Sequence, residues 1–129
     1  LGAVALSPVS AAPAADYVAV AERFLNVPYL WGGRTGLGID CSALVQLALA
    51  ATGKSAPRDS DLQEETLGER RDGMAGARRG DLLFWPGHVA ILRDTESIVH
   101  ASGTFMAVVV EPLGPALARM GPPRAVRRP

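Results

Sequence analysis

Read as a pattern of apolar and polar positions, the chain changes character at about residue 80. Before that point apolar residues recur at helical spacing. Val18, Ala21, Phe24 and Leu25 fall three or four apart within YVAVAERFLNV, behind an Asp16 able to cap a helix, and Pro28 ends the run. A second run opens at Cys41 and continues to about Thr52, where Gly53 stops it. Leu44, Val45, Leu47, Ala48, Leu49 and Ala51 leave Gln46 as its polar interior residue, and a helix apolar nearly all round is a buried one. Between the two lies PYLWGGRTGLGI, whose glycines at 32, 33, 36 and 38 mark a tight, close-packed loop. SAPRDSDLQEET and GERRDGMAGARRG read as loops around one short helix.

From Gly80 onward the segments DLLFW, HVAILRD, SIVHAS, MAVVVEPL and RAVRR are short, β-branched and punctuated by turns. They predict an antiparallel sheet built strand after strand. Helices first and strands after define an α+β domain over 16–129. Residues 1–15, LGAVALSPVSAAPAA, stand outside this pattern. The run resembles the apolar region and small-residue cleavage site of a signal peptide but lacks its basic start, and reads as a linker-like arm. No other segment is long enough to span a bilayer.

Composition narrows the chemistry. Thirteen basic residues balance thirteen acidic ones, with no basic stripe of the kind that tracks nucleic acid. One cysteine excludes an internal disulfide, and with two histidines it leaves too few ligands for a structural metal site.

That single cysteine, Cys41, sits between a glycine-rich loop and the start of a buried helix. A lone buried Cys is most often a small hydrophobe. At a helix N-terminus, however, unpaired N–H groups and the helix dipole lower a thiol's pKa, as a nucleophile requires. The base it needs is suggested by GHVAILRDTESIVHAS, two strands around DTE. His88 and His100 differ by an even number. A three-residue loop, either Arg93–Thr95 or Asp94–Glu96, therefore puts both imidazoles on one face, directly opposite in the first case and diagonal in the second. A two-residue loop separates them. Paired, one ring takes the thiol proton while the other orients it.

FLNVPYLWGGRTGLGIDCSALVQLALAATG, APRDSDLQ, RRGDLLFWPGHVAIL and IVHAS, in that order between about Asp16 and Val126, resemble the NlpC/P60 family of cysteine peptidases. The likeness is strongest to the bacterial branch acting on γ-D-glutamyl bonds of cell-wall peptides. It implies a papain-like α+β core with Cys41 as nucleophile, His88 as general base and His100 as the ring-orienting residue. It also implies Tyr29 at the oxyanion or thiol pocket, Asp40 and Ser42 gripping the peptide's amine and backbone, and Arg58 and Trp85 along the groove. Asp40 is equally suited to be the helix N-cap, and Asp81 reads as a structural turn residue. The implied substrate is a peptidoglycan-derived peptide, met in the envelope or as a recycled fragment in the cytoplasm. No cofactor or metal is required, and an SH3-like domain N-terminal to this chain is a common companion.

The chain departs from the family pattern at three places. Ala43 and Ala90 stand where glycine is usual, adding methyls expected near the active centre, where overpacking costs on the order of 1–3 kcal/mol. Ser102, Thr104 and Phe105 of HASGTFM replace residues expected to touch substrate. The same Cys–His–His set serves an acyltransferase or another amidase. A non-catalytic peptide-binding module would keep the fold and leave Cys41 an ordinary thiol.

Overall fold

The computed structural model describes residues 16–35 and 38–129, residues 34 and 35 by backbone only. The arm expected at 1–15, and Gly36, lie outside the described residues.

Tyr17–Glu22 forms α1, capped by Asp16, whose carboxylate accepts the Val18 N–H at 3.0 Å. The helix is shorter than its apolar spacing predicts. Beyond Glu22 the chain tightens, each N–H of Arg23, Phe24 and Leu25 donating three residues back. Asn26 then enters the left-handed region at φ 73°. Its N–H donates to the Val108 carbonyl, and the Val108 N–H donates to that of Val27. A sheet edge thus captures residues that would otherwise extend the helix.

Two short strands, β1 (Arg34–Thr35) and β2 (Gly38–Ile39), form a hairpin leading into α2, Cys41–Ala50. The loop is as close-packed as its glycines predict. A Cβ on Gly38 would lie 2.6 Å from the Leu30 Cβ, and one on Gly33 would lie 2.6 Å from the Gly38 carbonyl oxygen. Seven residues of α2, Cys41 to Val45 with Ala48 and Leu49, are buried, whereas Ala50 and Ala51 face solvent. Gly53, at φ 85°, closes the helix by donating to the Ala50 carbonyl.

Helix α3 (Ser60–Thr66) is the short helix expected between the two loops. The GERR segment is not a loop: Glu69–Arg71 forms β3, an edge strand. Strands β4 (Leu82–Trp85), β5 (His88–Asp94), β6 (Ser97–Ser102) and β7 (Ala107–Pro112) follow one another antiparallel, as predicted. The last strand, β8 (Ala125–Arg128), breaks the sequential order by inserting between β3 and β4. It can reach that position because α4 (Leu113–Met120) carries the chain back across the sheet. Sequence reading missed this helix, since it contains Gly114 and Pro115. Pro115 sits in its first turn, where no intrahelical N–H bond is lost.

The sheet is covered on both faces, which explains why its central strands are apolar runs rather than alternations. Val89, Ile91, Val99, Ala101 and Val108 pack against α1 and α2. Leu83, Trp85, Ala90, Leu92, Ile98 and Val126 pack beneath Ala116, Leu117 and Met120 of α4. Ala90 lies on the face away from α2, the face His88 occupies two residues before it, so its methyl neighbours the imidazoles rather than the Cys41 helix. Ala43 is fully buried among the residues around α2. Among the described residues, no helix is long and apolar enough to cross a membrane.

Asp81 is the structural residue its turn suggested, with a partner the sequence did not indicate. Its fully buried carboxylate meets Arg128 through Nε at 2.7 Å and Nη2 at 2.9 Å, and accepts the Arg78 N–H at 3.0 Å. Burial pushes this carboxyl up, but the guanidinium and the N–H outweigh it and hold it below the usual carboxylate range. The stabilisation is thus present at neutral pH and lost as pH falls through the folded value. Arg128→Ala, which strands the buried charge, is expected to cost roughly 3–5 kcal/mol in urea unfolding. Adding Asp81→Asn should recover part of that loss, because the amide is neutral and still accepts from Arg78.

Candidate active site

Strands β5 and β6 put the two histidines on one face, by a route the sequence did not predict. Their body runs in the register Ile91 opposite Val99 and Leu92 opposite Ile98, while near the turn Asp94 faces Ser97. The turn is therefore the two-residue Thr95–Glu96, which alone would separate the rings. A bulge between Leu92 and Asp94 inserts one extra residue and restores the even parity. His88 and His100 are consequently diagonal neighbours, the second of the two geometries expected for a three-residue loop. His88 Nε2 lies 2.7 Å from His100 Nδ1, with ring centroids 5.0 Å apart.

The Cys41 sulfur sits at the start of α2 against the backbone on either side of His88. It donates weakly to the Gly87 carbonyl at 3.9 Å, and the Val89 N–H points to it. Cys41 and His88 are not hydrogen-bonded to one another. The helix start does not leave the thiol acidic, as the sequence reading expected. Burial pushes the thiol up, Asp40 adds to this, and the N–H groups of Val89, Ser42 and Cys41 offset only part of it. Burial, with His100 and Arg119 nearby, pushes His88 down to about 4. Thiol and imidazole are thus each neutral near pH 7.

Asp40 is the N-cap of α2 and more. Its Oδ1 accepts from Ala43 N–H at 2.9 Å, and its Oδ2 accepts from Gly32 N–H at 3.1 Å. Arg58 grips both oxygens, at 3.0 and 3.1 Å, and donates to the Ser42 hydroxyl at 2.9 Å. The structure therefore brings Asp40, Ser42 and Arg58 together, but as an internally paired cluster. Arg58 is not the free cation that a substrate carboxylate would need. Gln63, fully buried, donates to the carbonyls of Ser42 and Pro57 at 3.1 and 2.8 Å and ties the Arg58 loop to the first turn of α2. Its place in APRDSDLQ was visible; its contacts were not.

A cavity of about 640 Å³ opens over the sulfur. Tyr29, Trp31, Asp40, Ser42, Arg58 and Gly87 line it, and the exposed carboxylates of Asp59 and Asp61 form part of its wall. Tyr29 keeps its phenolic proton, because burial and the neighbouring Cys41 and Asp40 push its pKa up. Trp31, 82 % exposed, was missed as a site residue. Trp85 does not line this cavity. It is 5 % exposed on the far face, its Nε1 donating to the Gly121 carbonyl at 2.8 Å and its ring 5.9 Å from that of His88. Of the residues replacing the family's tail motif, Ser102 accepts the Thr104 and Phe105 N–H groups and shapes the β6–β7 turn.

Behind the histidines stand two residues the sequence did not flag. His100 Nε2 lies 2.9 Å from Glu111 Oε1 on β7, and Arg119 of α4 binds both Glu111 oxygens, Nη2 to Oε1 at 3.0 Å. His100 and Glu111 are 1 % and 4 % exposed.

A thiol at a buried helix start, set beside a covered antiparallel sheet that carries a pair of imidazoles, defines a papain-like α+β domain. A model of the NlpC/P60 family matches residues 26–117, and the chain belongs to that family. It is 39 % identical over 87 residues to Dipeptidyl-peptidase 6 of Lysinibacillus sphaericus, covering 67 % of this chain and 32 % of the relative. It is 41 % identical over 73 residues to the gamma-D-glutamyl-L-lysine dipeptidyl-peptidase of Bacillus subtilis, covering 56 % and 24 %. The chain thus spans a third or less of the length of these relatives. Among solved structures, an NlpC/P60 family protein from Bacillus cereus superposes with a TM-score of 0.79 at 29 % identity, over 92 % of this chain and 41 % of that one.

The raised thiol gives a direct expectation, made simple by the chain's single cysteine. Iodoacetamide alkylation of Cys41 should go on accelerating as pH rises beyond the range in which ordinary thiols ionise. A rate plateau extending below pH 6 would instead reveal a resting thiolate–imidazolium pair.

Proposed function

We propose that this domain is a cysteine peptidase hydrolysing γ-D-glutamyl–diamino acid amide bonds in peptidoglycan peptides, with Cys41, His88 and His100 as its catalytic set. The observation that carries the reading is the arrangement around His88. Its Nε2 is engaged by His100 at 2.7 Å, while its two chain neighbours contact the Cys41 sulfur. The ring's other nitrogen, Nδ1, remains for proton transfer to and from the thiol. The name of the B. subtilis relative supports the γ-D-glutamyl bond as the target.

Attack begins as His88 Nδ1 takes the thiol proton and the sulfur bonds to the amide carbonyl carbon. Because the resting pair is neutral, deprotonation accompanies attack, and the short approach of the two groups belongs to the substrate complex. The carbonyl oxygen gains the negative charge. It accepts from the Cys41 N–H, one of the unpaired donors of the first turn, and from the Tyr29 hydroxyl. The tetrahedral intermediate collapses with the C–N bond breaking, and the His88 imidazolium gives its proton to the leaving amine. Water, deprotonated by His88, then attacks the thioester and releases the γ-carboxylate and the thiol.

The cavity's charge selects the peptide. Asp59 and Asp61 add carboxylates to a wall whose Arg58 is already committed to Asp40, so the surroundings of the acyl side favour a substrate amine over a further carboxylate.

The test is mass spectrometry of L-Ala-γ-D-Glu-L-Lys and L-Ala-γ-D-Glu-meso-diaminopimelate incubated with the protein. Release of L-Ala-γ-D-Glu and the free diamino acid, abolished by Cys41→Ser, is expected. Both peptides recovered intact with the folded protein would refute the assignment. For a cleaved peptide, kcat/KM should hold from pH 7 to about pH 5 and fall as His88 takes a proton near its value of about 4. An acid limb at the unperturbed imidazole value would overturn the neutral resting pair.

A further inference from the structure

The geometry points to Glu111 as a positioning residue that sets the proton pattern of both histidines, with Arg119 holding it in its charged form. This inference rests on His88 being the base, and it extends the set by two residues.

The reasoning runs along one line of hydrogen bonds. Arg119 binds both Glu111 oxygens, and this contact, ahead of the opposing effect of burial, keeps the carboxyl below its usual range. An ionised carboxylate only accepts. His100 Nε2, 2.9 Å from Glu111 Oε1, must therefore carry the hydrogen between them. Burial pushes His100 down, so its ring is neutral near pH 7 and its Nδ1 is bare. His88 Nε2, 2.7 Å from that bare nitrogen, must donate in turn. The remaining nitrogen of His88, Nδ1, is then unprotonated, which is the state a base for Cys41 requires. Were Glu111 absent, the row could flip: His100 Nδ1 would carry the hydrogen, and His88 could hold its own on Nδ1, facing the thiol as a donor.

Burial makes the control effective. The carboxylate and the His100 ring are both buried, so water does not compete for either end of the bond. The charged and titratable groups facing the two rings come from four elements: His88 from β5 and His100 from β6, each facing the other, Glu111 from β7 and Arg119 from α4. Glu111 favours imidazolium and Arg119 disfavours it, so the two act on the histidines with opposite sign.

Since the chain contains only two histidines, long-range 1H–15N correlation spectra of the 129-residue protein read their tautomers directly, without substrate. At pH 7 both rings should carry hydrogen on Nε2 and leave Nδ1 bare; either ring protonated on Nδ1 instead would overturn the proposal. Glu111→Gln should move the histidine titration to lower pH, and Arg119→Met, which leaves the carboxylate unneutralised, should move it higher. Shifts of one sign, or none, in folded variants would mean a merely structural pair. On a cleaved peptide, Glu111→Gln should lower kcat at least about tenfold with KM little changed. Correct tautomers in a protein that cleaves neither peptide would leave this inference standing and remove only the substrate assignment.

Discussion

The site depends on a single added residue in one strand. Without the bulge between Leu92 and Asp94, the two-residue turn would put His88 and His100 on opposite faces of the sheet, one toward α2 and the other toward α4. Side-chain parity in a strand is strict, so no rotamer change could reunite them. The bulge is held locally. Asp94 Oδ1 accepts from the Glu96 N–H at 2.8 Å and from the Ser97 hydroxyl at 2.9 Å, and Arg93 reaches Glu22 of α1 through Nε at 2.6 Å. The position of the imidazoles is therefore settled at the far end of the hairpin, by contacts that touch neither ring.

Two arginine–carboxylate pairs flank the chemistry and have related consequences. Arg58 neutralises Asp40 where α2 begins, and Arg119 neutralises Glu111 behind the second histidine. Each carboxylate is needed for geometry: one caps α2, the other fixes a ring. Unneutralised, Asp40 would raise the thiol further and Glu111 would draw a proton onto the histidines. With both paired, burial is the leading influence on Cys41 and on His88. Desolvation disfavours charge on thiol and imidazole alike, which accounts for a neutral resting pair. In the proposed reaction, charge develops only as the thiol attacks.

What the sequence revealed and what it hid divide along physical lines. The α+β class, the buried helix from Cys41 and the strands of the central sheet rest on periodicity, which is local, and they were legible. The same holds for the shared face of the two histidines, although there two errors cancelled: the loop was one residue shorter than expected, and an unforeseen bulge supplied that residue. Helix α1 was overextended because apolar spacing cannot register that Val108 pairs with Asn26 and Val27 across the fold. The β3 strand was missed because Glu69, Arg70 and Arg71 are polar on both faces, as suits an exposed edge.

The residues around the site show the same division more sharply. Cys41, His88, His100, Asp40 and Ser42 sit in local motifs and could be named from them. Trp85 shares a motif with His88 and, paired directly opposite it, shares its face, yet its ring is buried and its Nε1 is taken by the Gly121 carbonyl. Glu111 and Arg119 lie in no motif. Their roles exist because β7 pairs with β6 in a register that sets His100 opposite Val109 and brings Glu111 alongside, and because α4, the helix sequence reading missed, turns Arg119 back over that strand. A carboxylate in MAVVVEPL looks like the end of a strand when read alone. It becomes the partner of His100 only when the chain following it is known to double back, so an error in one element concealed the contacts of another.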